Sequence, residues 1–266
     1  MSNRPETALA DEPATEPLLA PRVIRREIWI VLALSLGASA IWSIVDIIGT
    51  LTGPGLDDTV QTMNSAKAEA ERPWYDLTRQ LVSLALAMAP VALALHFLSL
   101  DRGNPFRAIG LDTRRPGFDL LSGAGLAACI GIPGLGLYFT ARALGLNAEI
   151  AAANLNDVWW AVPILVLAAL KNAIIEEVVG LGYLVTRLRR LAWRTPAIIA
   201  AHALLRGTYH LYQGFGGFIG NMVMGAVFAF FYLRWRRTGP LIVAHTLLDI
   251  AAFVGYLLVA PRVTWL

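Results

Sequence analysis

The chain has 266 residues, of which 56% are hydrophobic and 15% charged, and its mean hydropathy is +0.57. These values exclude an ordinary soluble globular domain and indicate a polytopic membrane protein. The net charge of +3 does not signal nucleic-acid binding, because the arginines are distributed by connection rather than gathered on a patch. One cysteine, Cys129, excludes an internal disulfide framework and a cysteine-rich zinc site, and is read as a small apolar filler.

Residues 1–22 are rich in Ala, Pro and Glu and are expected to form a disordered, solvated tail. The first apolar run begins near Ile28 and is long enough to span, so no cleavable leader is expected. Seven apolar segments follow, each near the roughly 20 residues a span needs: 28–50, 77–99, 118–141, 159–186, 196–213, 216–234 and 240–259. Every one is expected to be helical, since an open sheet cannot satisfy its backbone in lipid. The fold class is therefore all-α, a polytopic membrane bundle of about seven transmembrane helices. Its parts are the tail (1–22), N-terminal spans (23–150) and a C-terminal set (151–266), within one integral membrane domain. Pro90, Pro133 and Pro163 are expected to kink their helices. Gly216, Gly217 and Gly220 should let the sixth segment pack closely on a neighbour.

Arginine and lysine alternate between connections. Arg4, Arg22, Arg25 and Arg26 precede the first span. Arg102, Arg107, Arg114 and Arg115 fill the second connection. Arg187, Arg189, Arg190 and Arg194 fill the fourth, and Arg234, Arg236 and Arg237 the sixth. The others are poor: Lys67 and Arg72 in the first, Arg142 in the third, none in the fifth, and Arg262 after the last span. This bias places the N-terminus in the cytoplasm and the C-terminus outside a plasma (inner) membrane. Trp29, Trp193 and Trp235 fall at inner ends, and Trp74, Trp159, Trp160 and Trp265 at outer ends, as an aromatic belt on each side; Trp42 is the exception.

Ionisable residues inside the spans mark the functional region. A charge at the centre of a membrane helix costs about 2.5–3.5 kcal/mol on insertion scales, so several are carried only where they meet one another or water. Glu176 and Glu177 are adjacent in KNAIIEEVVGLGYLV; His202, Arg206 and His210 recur every four residues in AHALLRGTYHLY; His245 and Asp249 are four apart in PLIVAHTLLDIAAF. Spacing of four puts members of a set on one helix face. About 100° separates Glu176 from Glu177, so one is expected at the site and the other toward a neighbour. Glu177, Arg206, His245 and Asp249 lie about 9–16 Å from their cytoplasmic ends at 1.5 Å per residue, a common depth; His210 sits deeper.

Two chemistries suit this set, and both are hydrolytic. A buried glutamate can act as general base on water while histidine or arginine stabilises an oxyanion. Alternatively, a glutamate and two histidines (candidates Glu177, His210 and His245) could hold zinc and its bound water, although HExxH is absent. Lys171 is a possible charge partner of Glu176. His202 reads as a residue that supports the site or packs beside it, and Asn221 as a helix cap or bridge; Tyr209 and Tyr212 read equally as cleft lining or interface anchors. His96 and Asp46 stand alone in their helices.

Together the three segments resemble the CPBP family of intramembrane proteases, also called the Abi or CAAX-protease family, over roughly residues 160–258. The family pattern runs EExxxR, FxxxH, then HxxxN or HxxxD. Glu176 and Glu177 match the paired glutamates, Gly182-Tyr183-Leu184 the GYL continuation, His210 the second motif, and His245 and Asp249 the third. Leu181 replaces the arginine of the first motif and Arg206 the phenylalanine of the second; Arg206 is expected to supply from the fifth helix the guanidinium that Leu181 lacks. The resemblance implies peptide-bond hydrolysis near the cytoplasmic face, with Glu176, Glu177, Arg206, His210, His245 and Asp249 as site residues, Asp249 orienting His245, and a membrane protein or peptide, lipidated in the prototype reaction, as substrate. The base remains either glutamate, and a divalent metal remains open. Alternatives are a non-catalytic membrane protein of this fold, in bacteriocin immunity or secretion, and a proton-coupled transporter.

Overall fold

A computed structural model describes residues 19–62, 72–101, 103–151 and 158–259, with the side chains of 256–259 excepted. Most of the expected tail, together with Lys67, Arg102, Arg262 and Trp265, lies outside the described residues. All seven apolar segments are helical. The first is two helices, α1 (Pro21–Ala33) and α2 (Leu36–Thr52), bent by 49°. The second is α3 (Pro73–Leu86) and α4 (Ala89–Ser99). A short α5 (Pro105–Ala108) precedes the long α6 (Pro116–Ala143). The fourth segment begins as α7 (Ala161–Ile175), widens into a π-helical stretch (Glu176–Tyr183) and ends as α8 (Leu184–Arg190). Then follow α9 (Thr195–Tyr209), α10 (Phe215–Trp235) and α11 (Gly239–Val259). By length and composition Pro73–Ser99, Pro116–Ala143 and Phe215–Trp235 can each cross a membrane, as can the bent α1–α2 pair if it is one span. The remaining segments are shorter apolar helices or carry the ionisable residues.

The proline expectations resolve individually. Pro90 stands at the start of α4, just past a break. Pro133 lies inside an unbroken α6. Pro163 falls in the first turn of α7, where no hydrogen bond within the helix is lost.

The connections gather at two opposite ends. At one end, β1 (Val60–Thr62) and β2 (Glu149–Ala151) pair in parallel, joining the first and third connections. Asn147 bridges to Gly214, bringing in the fifth. At the other end Arg237, from the sixth connection, binds Asp112 at 3.0 Å and Asp119 at 2.7 Å. Thr238 N donates to Ile109 O at 3.0 Å. Arg187 joins the fourth segment to Asp101 at 2.7 Å and to Glu27 at 3.0 Å. The chain thus runs end to end between arginine-poor and arginine-rich faces, as the alternation of arginines implies. The arginine-rich end is more than a topological signal, since Arg187 and Arg237 are buried clamps between helices.

The core centres on the π-helical stretch, whose Val178, Val179, Leu181 and Tyr183 pack with Ile109, Phe228, Tyr232 and Leu241. Outer helices turn apolar side chains outward: Leu120, Leu121, Ile132 and Leu135 of α6 are exposed, as lipid contact requires. Close helix approach depends on small residues. A Cβ at Gly216 would stand 2.4 Å from the Ala141 Cβ, and one at Gly225 would stand 3.1 Å from both the Ala203 Cα and the Arg206 Cβ. Trp160 departs from the expected belt, being only 3% exposed; it caps the start of α7 inside the bundle.

Candidate active site

α9 packs on α10 and α2, while α11 packs on α7 and α6. The π-helical stretch, α9 and α11 thereby bring their ionisable faces together. Glu177, 0% exposed, is the centre. Its Oε1 accepts from Arg206 Nη1 at 2.8 Å and lies 2.8 Å from His245 Nδ1. Because an ionised carboxylate only accepts, Nδ1 carries the imidazole proton in that contact. Arg206 Nη2 reaches Glu176 Oε2 at 3.3 Å and approaches His245 Nδ1 at 3.3 Å. Both glutamates therefore face one guanidinium, against the expectation that they diverge. The α-helical 100° step does not apply across a π-helical stretch, and the arginine fork spans two acceptors.

Around this pair lies a second ring of contacts. Tyr209 OH donates to Glu176 Oε2 at 2.7 Å. His245 Nε2 lies 3.6 Å from Asp249 Oδ1 and 3.9 Å from Glu176 Oε2. Asn172 Nδ2 donates to Asp249 Oδ2 at 3.1 Å. Arg206 also rests against Met224 Sδ at 3.7 Å and over the Phe228 ring at 5.3 Å. Glu176 keeps 15% of its side chain exposed, so this carboxylate is the one that solvent or substrate can reach.

The remaining sequence candidates sort cleanly. His210 caps α9, and its Nδ1 donates to the Arg206 carbonyl at 3.1 Å, since that oxygen can only accept; its Nε2 keeps a lone pair. His202 packs against Gly225 O at 3.0 Å, a supporting contact as expected. Asn221 Nδ2 bonds Gly217 O within its own helix rather than across to another. Leu181 is fully buried in the core and takes no part in the charge cluster. Lys171 lies where the charges of Glu176 and Asp249 act on it. Asn172 escaped the sequence reading, and Tyr209 reads there equally as cleft lining or interface anchor. Asn172 had a usable signal, four residues before Glu176 on the same helix. Tyr209 had one as well, three residues after Arg206, but its aromatic ring also suited an interface anchor.

Glu176, Glu177 and His245 each offer one ligand atom, all within 4.8 Å of one another, a set that by donor type could hold a divalent ion. His210, expected as a ligand, is not part of it. The Arg206 guanidinium contacts Glu177 Oε1 and Glu176 Oε2, so an added cation would share these carboxylates with a fixed positive charge.

Comparison with known families matches residues 158–251 to the model described as type II CAAX prenyl endopeptidase Rce1-like. The matched stretch holds the whole charge cluster and bears out the resemblance to CPBP-family proteases. Neither the curated proteins nor the solved structures returned a match.

Proposed function

With an Rce1-like domain over residues 158–251, we propose that this membrane protein is an endopeptidase that hydrolyses peptide bonds near the cytoplasmic membrane face. A CAAX-type, lipidated protein or peptide end is the substrate class that the family match favours. The N-terminus then faces the cytoplasm of a plasma (inner) membrane. The observation that carries the reading is the unequal pair of carboxylates: Glu177 is sealed between Arg206 and His245, while Glu176 keeps an exposed edge.

Glu176 is the general base in this reading. Its Oε2 is held by Tyr209 and Arg206, which leaves Oε1 to take a proton from an attacking water. That water adds to the scissile carbonyl carbon, and the carbonyl oxygen becomes an oxyanion. The Nε2–H of the imidazolium form of His245 supplies a donor for it; Asp249, fixed by Asn172, favours that imidazolium. The proton on Glu176 passes to the leaving amine as the C–N bond breaks. His210 Nε2 stands ready to position the water. Glu177 fixes the Arg206 fork and the His245 tautomer, a role that needs no contact with substrate.

The test is cleavage of farnesylated CAAX peptides by protein purified in detergent. Glu176→Gln and His245→Ala should each lower the rate by about 10²–10⁴-fold, the range of general acid–base contributions. Wild type and folded variants all inactive on every peptide would instead support the non-catalytic membrane protein, which the engagement of Glu177 Oε1 by both Arg206 and His245 also suits.

A further inference from the structure

Of the groups that by donor type could hold a metal, Glu176 and Glu177 each have one oxygen already held by a side-chain cation. Arg206 Nη1 stands 2.8 Å from Glu177 Oε1, and Nη2 stands 3.3 Å from both Glu176 Oε2 and His245 Nδ1. Zinc would need carboxylate lone pairs turned onto it at about 2.0–2.2 Å. Here those of Glu177 Oε1 and Glu176 Oε2 face guanidinium N–H groups. The 2.8 Å contact of His245 Nδ1 with Glu177 Oε1 puts the proton on Nδ1, which leaves Nε2 as the nitrogen able to ligate.

Arg206 is not placed to move aside. Its side chain is 1% exposed, lies over Phe228 and against Met224, and springs from the close α9–α10 contact at Gly225. Guanidinium does not deprotonate in proteins, so the positive charge is permanent. A divalent ion entering the triad would sit in contact with it in a medium of low dielectric, where like charges repel strongly.

We infer that Arg206 is a built-in cation that stands in for a divalent metal at this site, and that it also replaces the guanidinium absent at Leu181. Wild-type protein then binds no metal at the triad, and removing the guanidinium uncovers a metal site made of Glu176, Glu177 and His245. The inference concerns the proposed catalytic centre, but its readout is metal binding and stands apart from proteolysis.

Full-length protein in detergent is titrated with Co²⁺ as a spectroscopic stand-in for zinc, with bound metal measured by equilibrium dialysis and visible absorption. Wild type should take up no equivalent that depends on His245. Arg206→Gln should gain one equivalent, bound at least about tenfold more tightly than any uptake by wild type, as second-sphere and ligand changes commonly produce. Arg206→Gln combined with His245→Ala should lose it again. One tight equivalent on wild type, abolished by His245→Ala, overturns the inference, as does a folded Arg206→Gln protein that binds no more Co²⁺ than wild type. Should Arg206→Gln fail to fold, Arg206→Lys keeps a charge without the fork, and the wild-type titration alone still decides: His245-dependent uptake refutes, none supports.

Discussion

A single oxygen, Glu177 Oε1, accepts from both Arg206 and His245 inside a fully buried pocket. Its partner Oε2 is buried with no hydrogen-bond partner among the described residues, so the local network depends on the charge of the carboxylate. Glu177→Gln keeps the shape and removes that charge. Breaking one side of a buried ion pair costs about 3–5 kcal/mol, and denaturant unfolding in detergent should show a loss of that order. Tyr209→Phe removes one charge-assisted donor from Glu176. It should leave folding intact and lower peptide cleavage roughly tenfold, the equivalent of about 1.4 kcal/mol. An unchanged rate would remove Tyr209 from the site.

The π-helical stretch is the element that makes the site. It turns Glu176 and Glu177 to the same guanidinium and sends Leu181 into the core. π-helical turns are rare and often mark functional positions. The α9–α10 contact is the second requirement, because it sets how far Arg206 reaches. A Cβ at Gly225 would meet the Ala203 backbone and the Arg206 Cβ, both at 3.1 Å. Gly225→Val should therefore overpack this contact by about 1–3 kcal/mol and depress activity beyond its loss of stability. A folded Gly225→Val enzyme with wild-type kcat would show that the helix spacing does not set Arg206.

For the whole molecule, the two ends are held differently: one by short paired strands, the other by buried arginine clamps. At the clamp end Asp112 has its carboxyl held below the ordinary 3.8, first by the Arg114 backbone N–H and then by the Arg237 side chain. A depressed carboxylate contributes stability that is present above the ordinary value and is lost as pH falls through the lower folded one. The clamp should hold at neutral pH and weaken below pH 3.8. Asp112→Asn should flatten this part of the acid melting curve, and an identical curve would show that the Asp112–Arg237 contact adds nothing. Orientation can be tested on a Cys129→Ala background. Cysteine at Ala192 should react with an impermeant reagent only from the cytoplasmic side, and cysteine at Leu146 only from outside.

The sequence by itself determined the membrane class, the helical segments, the alternation of their connections and most of the residues of the charge cluster. Each of these follows from local properties: apolar length, arginine bias, and ionisable residues too costly in lipid to occur without partners. Arg206, His245 and Asp249 were legible because four-residue spacing puts charges on one face whatever the helix packs against, and Glu176 and Glu177 because paired carboxylates inside an apolar segment are too costly to stand without partners. Only the tertiary structure decided that both glutamates meet Arg206, that Asn172 and Tyr209 complete their contacts, that His210 stands outside the triad, and that Trp160 is buried. Those outcomes depend on a π-helical change of register and on the angle and spacing of α7, α9, α10 and α11. Hydrogen-bond register and helix approach are settled by packing between segments distant in sequence, which local periodicity does not encode.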